Sequence, residues 1–182
     1  MSSSGGASYL VVRPTLADVV LKMPRGAQVI YPKDLGAIMM LADIFPGARV
    51  FETGLGSGAL SIALLRAGAE IFGAEVREDF ASRAVKNIET FLGPAALERY
   101  HVALADSYEG IEATDIDRAI LDLPEPWNVI PHLREVLRPG GTVVAYTPSI
   151  TQAARVRAEL DEGPYAMAQT IEVLHRGWHI EG

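Results

Sequence analysis

Three glycines that follow an acid form the stretch of this chain whose residue types and spacing most clearly predict a ligand site. Gly54, Gly56 and Gly58 lie in the run Glu-Thr-Gly-Leu-Gly-Ser-Gly, which begins at Glu52. The residues before this run read as a short buried strand, and those after it read as a helix. A ligand there could approach the backbone closely and meet the free N–H groups of the helix start. The predicted ligand therefore carries a carboxylate, a phosphate or a ribose.

The spacing of these glycines favours S-adenosylmethionine over a nicotinamide dinucleotide. The dinucleotide fingerprint is G-x-G-x-x-G, whereas this chain has G-x-G-x-G with an acid before it. Glu75 ends a second predicted strand, at the distance where an acid can hold ribose hydroxyls, and that acid would suit either cofactor. A tight turn that binds no ligand stays open as the alternative, since short glycine motifs also occur by chance.

Acids follow the next two predicted strands as well. Asp106 comes after a strand over residues 100–105, and Asp122 comes after a strand over residues 117–121. Strands that alternate with helices predict an α/β fold, with a doubly wound, mostly parallel, Rossmann-like sheet and helices on both faces. Ligands of such sheets bind beyond the carboxyl ends of the strands. We therefore expect Gly54, Glu75, Asp106 and Asp122 to meet in one crevice. The alternative is that each is an unrelated helix cap or turn residue.

The remaining elements complete this predicted fold. Residues 1–12 are expected to be a disordered start with one short strand at 9–12, and residues 13–182 a single domain. The predicted helices are 16–23 capped by Thr15, 35–43 capped by Asp34, 78–91, 127–137 and 150–161. The predicted late strands are 142–146 and 168–178, and Arg-Pro-Gly-Gly at 138–141 is expected to be a turn.

A loop with two prolines follows Asp122 in the run Asp-Leu-Pro-Glu-Pro-Trp. Prolines hold such a loop in an extended shape, which would aim the Asp122 carboxylate and the Trp127 ring into the crevice. A carboxylate can accept a hydrogen bond from an exocyclic amino group, and a flat ring can stack on a base. The alternative is that Asp122 caps the following helix and Trp127 fills the core.

Composition narrows the possible functions. The formal net charge of −7 counts against an extended grip on nucleic acid, although a local basic patch is compatible with it. The absence of cysteine excludes disulfides, zinc–thiolate sites and a cysteine nucleophile, and it is compatible with a cytoplasmic enzyme. No apolar run reaches the roughly 18 residues of a membrane span. The four histidines have no ligand spacing, so no metal is predicted.

Several motifs occur in one order that resembles the tRNA adenine-N1 methyltransferase family, which modifies position 58 in the T-loop. These are Gln-Val-Ile-Tyr-Pro-Lys-Asp at 28–34, the glycine loop with Ala-Leu at 52–60, Asp-Leu-Pro-Glu-Pro-Trp at 122–127, Tyr-Thr-Pro at 146–148 followed by Gln152, and Glu-Val-Leu at 172–174 followed by Arg176 and Trp178. The resemblance covers nearly everything from Arg13 to Ile180. It implies a class I methyltransferase with S-adenosylmethionine as cofactor and tRNA as substrate.

The resemblance also implies roles for single residues. Asp122 would face the target adenine beside the sulfonium, with Tyr31 as a second catalytic residue and Gln152 near the target pocket. Glu75 would hold the ribose, and Asp106 would reach the adenine of the cofactor. The methionine end would lie among Ile30, Gly54, Gly56, Ser57, Gly58, Ala59 and Leu60.

Family members are commonly homotetramers, so a homo-oligomer is expected. They also carry a further strand, which we expect this sheet to lack. Two other functions stay open at this point. One is methyl transfer to a small molecule or a protein, and the other is a catalytically silent subunit that binds the cofactor.

Overall fold

Five parallel strands form the centre of the fold in the computed structural model, which describes residues 5–182. In chain order they are β1 Arg49–Thr53, β2 Glu70–Glu75, β3 Tyr100–Leu104, β4 Ile116–Leu121 and β5 Leu137–Ala145. Their spatial order is β3-β2-β1-β4-β5, and every neighbouring pair is parallel. The order reverses between β1 and β4, so the sheet is doubly wound. The predicted fold class is therefore confirmed.

Helices cover both faces of this sheet. They are α1 Leu16–Lys22, α2 Pro32–Leu41, α3 Ala59–Arg66, α4 Glu78–Leu92, α5 Ile130–Val136 and α6 Ile150–Asp161, with 3-10 turns at Pro94–Arg99 and Pro126–Asn128. Along β1, Val50 packs into the core with α1–α4, whereas Phe51 packs into the core with α5 and α6. Alternate residues of a strand point to opposite faces, so this buried strand is apolar on both sides. Within residues 5–182, no helix is both long enough and apolar enough to cross a membrane.

The predicted start of α1 is confirmed, since Thr15 caps this helix and its hydroxyl accepts from the N–H of Asp18. The starts of α2 and α5 differ from the sequence prediction, and a proline explains each difference. The prediction that Asp34 caps α2 was wrong. The helix starts at Pro32, whose missing N–H and fixed φ suit a first helical position. The predicted helix over 127–137 was also wrong in extent, because α5 begins only at Ile130, with Pro131 in its first turn.

The predicted turn at residues 138–141 is instead a bulge within β5. Ile116 pairs with Leu137, but Arg118 pairs with Thr142, so four residues of β5 lie outside the regular ladder. Gly140 has a φ of 79°, which suits glycine in an irregular segment of this kind. The sequence therefore predicted an irregular segment at 138–141 correctly. It did not reveal that β5 already pairs with β4 at Leu137, before that segment.

Two predicted strands are absent. Residues 9–12 form no strand, and their side chains are exposed; residues 1–4 of the predicted disordered start lie outside the described part of the chain. The predicted strand over 168–178 is also wrong, because the described chain has no helix or strand after Asp161. Leu174 is 83% exposed and Trp178 is 78% exposed. A strand needs a hydrogen-bonding neighbour, and β5 forms the sheet edge at this end without pairing with that segment.

Candidate functional site

The carboxyl ends of neighbouring strands are tied together by backbone hydrogen bonds just beyond the sheet. The N–H of Gly54, which follows β1, donates to a carbonyl of β2 at 3.3 Å. The N–H of Asp122 donates to Thr53 at 3.0 Å, and the N–H of Tyr146 donates to Leu121 at 2.9 Å. The residues that follow β1, β4 and β5 therefore lie side by side at one edge, where ligands of doubly wound sheets bind.

The glycines let the loop after β1 fit between its neighbours. Gly54, Gly56 and Gly58 all have positive φ angles, of 84°, 53° and 80°. A Cβ on Gly54 would lie 2.0 Å from the carbonyl oxygen of Asp122, and a Cβ on Gly58 would lie 3.1 Å from Ala84 of α4. Gly54 thus brings the loop against the start of the Asp122 segment. Gly58 lines no cavity described below and instead lets α3 pack on α4.

Two cavities flank Gly54, which lines both of them. The smaller, of about 20 Å³, holds one water-sized volume, and the larger measures about 230 Å³. Asp122 lines the smaller cavity, whereas the next residue, Leu123, lines the larger. The predicted site residues divide between the two. The smaller cavity has Ile30, Gly54, Gly56, Ser57, Ala59, Leu60 and Asp122, and the larger has Gly54, Glu75 and Asp106.

A buried carboxyl group dominates the smaller cavity. Glu52 is 1% exposed, and its Oε1 accepts a hydrogen bond from the Ser61 hydroxyl at 3.0 Å. Burial raises the pKa of Glu52 to about 8, and the nearby Asp122 carboxyl adds to the rise. Within residues 5–182, Glu52 Oε2 and Ser57 Oγ are the buried side-chain oxygens that have no hydrogen-bond partner. Both residues line this cavity, so their unpartnered oxygens are available to hydrogen-bond the polar groups of an amino-acid ligand.

The larger cavity presents carboxylates against apolar walls. Glu75, at the end of β2, accepts from the N–H of Gly56 at 3.2 Å and from the N–H of Arg77 at 3.0 Å. A carboxylate offers about four lone-pair sites, so Glu75 can still accept bonds from ligand hydroxyls. Asp106 is exposed, with Oδ1 accepting the N–H of Tyr108 at 2.9 Å. Carboxylates beside apolar walls suit the sugar and base of a nucleoside.

The donor sets of the two cavities together fit S-adenosylmethionine, which carries an amino acid at one end and a nucleoside at the other. The smaller cavity adjoins the start of α3, where Ala59 and Leu60 present free backbone N–H groups. Those donors suit the carboxylate of the amino-acid end, and the unpartnered Oε2 of Glu52 offers that end a further hydrogen bond. Within residues 5–182, no group of three histidines, aspartates or glutamates is arranged to hold a metal ion.

Asp122 begins the loop that follows β4. Burial raises the pKa of its carboxyl to about 6, which leaves it mostly ionised at neutral pH. Gln152 lies against the same loop, and its Nε2 donates to the carbonyl of Pro124 at 2.9 Å. Trp127 ends the loop, with the Arg155 guanidinium 4.3 Å from its ring centre. Gln152 lines neither cavity, so its contact with Pro124 is what connects it to the site.

Tyr31 lies outside both cavities, as the N-cap of α2, and is 40% exposed. A nearby polar cluster was missed by the sequence reasoning. Tyr146 donates from its hydroxyl to Asp34 at 3.3 Å, and Lys33 donates to the same carboxylate at 2.7 Å. Burial, with Asp34 and Asp122 nearby, raises the pKa of Tyr146. Its position directly after β5 is the signal that could have identified it, since the same rule selected Asp106 and Asp122.

Comparisons with known sequences point in the same direction. A model of the family described as tRNA methyltransferase complex GCD14 subunit matches residues 8–182. The tRNA (adenine(58)-N(1))-methyltransferase TrmI of Thermus thermophilus is 35% identical over 178 residues, which are 96% of this chain and 69% of that protein. The tRNA (adenine(57)-N(1)/adenine(58)-N(1))-methyltransferase TrmI of Methanocaldococcus jannaschii is 30% identical over 202 residues, covering 97% of this chain and 72% of that protein.

Solved structures agree on the fold. A SAM-dependent O-methyltransferase from Thermotoga maritima matches with a TM-score of 0.90 and 34% identity, covering 97% of this chain and 66% of that chain. The tRNA (m1A58) methyltransferase TrmI from Aquifex aeolicus matches with a TM-score of 0.82 and 28% identity, covering 91% of this chain and 66% of that chain. The chain thus spans slightly less than two thirds of the length of each solved relative.

Proposed function

Because the chain belongs to the GCD14 family of tRNA methyltransferases, whose methyl donor is S-adenosylmethionine, we propose that it methylates N1 of adenine 58 in the tRNA T-loop. One observation carries the proposal. Asp122 lines the same cavity as the glycine loop, and its carboxyl lies near enough to Glu52 to help raise the pKa of that buried group, while Gly54 packs against the Asp122 carbonyl. A carboxylate is thereby held where donor and acceptor would meet.

The two adjoining cavities give each part of the donor a separate set of contacts. In this proposal Glu52 and Ser57 contact the amino-acid end, together with the start of α3 and Ile30. Glu75 accepts bonds from the ribose hydroxyls, and Asp106 reaches the adenine. The support for this division is the distribution of these residues between the two cavities and the unpartnered oxygens of the smaller one.

The reaction requires the protein mainly to position the methyl donor against the target adenine and to stabilise the positive charge that develops on the adenine ring. When bound, S-adenosylmethionine supplies a methyl group already activated by its sulfonium, and the N1 of neutral adenine has a free lone pair. Asp122 accepts a hydrogen bond from the exocyclic amine of the target adenine, which orients the ring. The same carboxylate stabilises the positive charge that develops on the ring during transfer. A pKa of about 6 leaves Asp122 ionised for both tasks at pH 7.

The target base has to leave its stack before it can enter the site, as with other enzymes that act on bases. Exposed Tyr31 offers a ring and a hydroxyl to the extruded adenine, which is the role we propose for this second catalytic residue. Arg155, held over Trp127, supplies positive charge for the RNA backbone. Such local contacts reconcile an RNA substrate with a net charge of −7.

Methyl transfer to unfractionated tRNA, followed by nucleoside mass spectrometry, tests the proposal. The expected product is 1-methyladenosine from the wild-type protein and at least about 100-fold less from Asp122→Asn. An O-methylated product would instead match the O-methyltransferase activity named for the Thermotoga relative. If no nucleoside is methylated although the cofactor binds, the chain is a silent subunit or acts on a small molecule or protein. Binding that weakens steeply with salt would support RNA as the ligand.

We further propose that the protein acts in the cytoplasm, where tRNA is available, and that it forms a homotetramer. The exposed apolar residues at both ends of the described chain, such as Leu10 and Leu174, support an assembled state. Light scattering coupled to size-exclusion chromatography measures the assembly directly. A monomer at micromolar concentration would contradict the tetramer without affecting the proposed reaction.

A further inference from the structure

The loop that carries Asp122 is held from two sides. Prolines have no backbone N–H, so Glu125 provides the only N–H of the Pro-Glu-Pro stretch. That N–H donates to the hydroxyl of Tyr108 at 3.2 Å. From the opposite side, the Nε2 of Gln152 donates to the carbonyl of Pro124 at 2.9 Å. We call residues 122–127 the acceptor loop.

The backbone N–H and the backbone carbonyl of Tyr108 both make hydrogen bonds to side chains. Its N–H donates to Asp106 Oδ1 at 2.9 Å, and its carbonyl accepts from the Nε2–H of His132 at 2.9 Å. The ring packs beside the core formed by α5 and α6. The hydroxyl therefore reaches Glu125 from a backbone that is anchored to a predicted cofactor residue on one side and to α5 on the other.

The same tyrosine also lines the larger cavity. Tyr108, Leu123 and Pro124 form part of the wall that faces Glu75 and Asp106. Tyr108 thus contacts the space assigned to the nucleoside of the cofactor and, through its hydroxyl, the loop assigned to the target adenine. Two residues of the acceptor loop face that same space.

We propose that Tyr108 is a positioning residue that makes the order of the acceptor loop depend on the filling of the cofactor cavity. This inference rests on the proposed function. A nucleoside in the cavity restricts the Tyr108 ring and the Leu123 and Pro124 side chains that pack around it. The hydroxyl of Tyr108 then holds the Glu125 N–H, and with it Asp122, in one place.

Trp127, at the end of the acceptor loop, allows a test that needs no methyl transfer. The second tryptophan, Trp178, is 78% exposed and is removed by Trp178→Phe. In that background, S-adenosylhomocysteine is expected to reduce acrylamide quenching of Trp127 fluorescence at least twofold. Tyr108→Phe keeps the ring but removes the acceptor of the Glu125 N–H. It should abolish most of that protection, while calorimetry shows S-adenosylhomocysteine binding within threefold of the parent.

Tyr165→Phe is the matched control. The Tyr165 hydroxyl donates to the carbonyl of Ile130 at 2.8 Å, so this variant also removes one hydrogen bond between a tyrosine and the backbone. It is expected to retain the full cofactor-dependent protection of Trp127. In tRNA assays, Tyr108→Phe should lower kcat about 5- to 12-fold, the loss of one hydrogen bond, with the KM for S-adenosylmethionine within twofold. Tyr165→Phe should change neither constant.

Equal protection of Trp127 in Tyr108→Phe and its parent would overturn the proposal. A parallel rise in KM and in the dissociation constant would also overturn it, because Tyr108 would then be a simple cofactor contact. Gln152→Ala removes the hydrogen bond to Pro124 that holds the acceptor loop from its other side, so it should also lower the protection of Trp127. Unchanged protection in that variant would contradict the proposal that the hydrogen bonds of this loop set the exposure of Trp127, even if Tyr108→Phe folds poorly. If tRNA is not methylated but S-adenosylhomocysteine still protects Trp127 through Tyr108, the proposed function is rejected and the proposal for Tyr108 stands.

Discussion

Replacing Glu52 with Gln should make the protein more stable at neutral pH and flatten the pH dependence of its stability. Burial raises the pKa of this carboxyl from an ordinary value of 4.5 to about 8. The folded protein therefore keeps a proton on Glu52 at pH 7, whereas the unfolded chain releases it. Gln keeps the carbonyl oxygen that accepts the Ser61 hydroxyl and has no proton to lose.

The sign and size of the effect follow from proton linkage. Between about pH 4.5 and pH 8 the folded state binds one more proton at Glu52 than the unfolded state. The free energy of unfolding therefore falls as pH rises, by up to about 1.4 kcal/mol per pH unit from this group. Between pH 5 and pH 7 the cumulative loss is about 2 to 3 kcal/mol. Glu52→Gln should lack this loss.

Urea unfolding followed by circular dichroism, at half-unit steps from pH 5 to pH 8, measures the difference between variant and wild type. That difference should grow with pH in favour of Glu52→Gln. Glu89→Gln is the control, since this exposed glutamate of α4 lies away from the site, and its difference from wild type should stay constant. A constant difference for Glu52→Gln as well would refute the assignment of a protonated, buried Glu52.

Three further outcomes are expected. The kcat/KM for tRNA should rise with pH through about 6 as Asp122 ionises, and Asp122→Asn should remove that rise; a rise that persists in the variant belongs to another group. Gly54→Ala should cost at least about 3 kcal/mol in urea unfolding, against about 1 to 2 kcal/mol for Gly47→Ala. Both glycines have a φ of 84°, but a Cβ would meet the Asp122 carbonyl only at Gly54, so equal losses would contradict the packing argument. Asp106→Ala should weaken calorimetric binding of S-adenosylhomocysteine about 5- to 10-fold, and unchanged binding would remove Asp106 from the site.

The sequence was sufficient to predict the sheet and its functional edge because the signals there are local. Buried parallel strands are short apolar runs, and each is followed by a residue whose type has a clear chemical use. Glu75 ends β2, and Asp122 follows β4 directly, as predicted. Gly54 was predicted from the spacing of the glycine run and its place after a strand, and the structure adds a packing reason, since no side chain fits between it and the Asp122 carbonyl.

The errors lie where structure depends on distant parts of the chain. Residues 168–178 contain Ile171 and Val173, which suit a strand, but composition does not tell whether a neighbouring strand is available to pair with them. The role of Tyr108 depends in the same way on a hydrogen bond to Glu125, 17 residues away across two loops. Glu125 belongs to the motif at 122–127 but Tyr108 belongs to none of the motifs, so the contact between them becomes visible only in the folded chain.

The two carboxyl groups of the smaller cavity differ in charge at neutral pH, and that difference suits the proposed reaction. Burial favours the protonated form of Glu52, with a pKa of about 8, whereas Asp122 has a pKa of about 6 and is mostly ionised. The cavity therefore carries about one negative charge, which balances a donor with a net charge of +1. Methyl transfer moves that positive charge from the sulfonium to the adenine ring. Because the proposed site has Asp122 facing both partners, this one carboxylate would compensate the charge before and after transfer, without a second ionised group that would have to be desolvated.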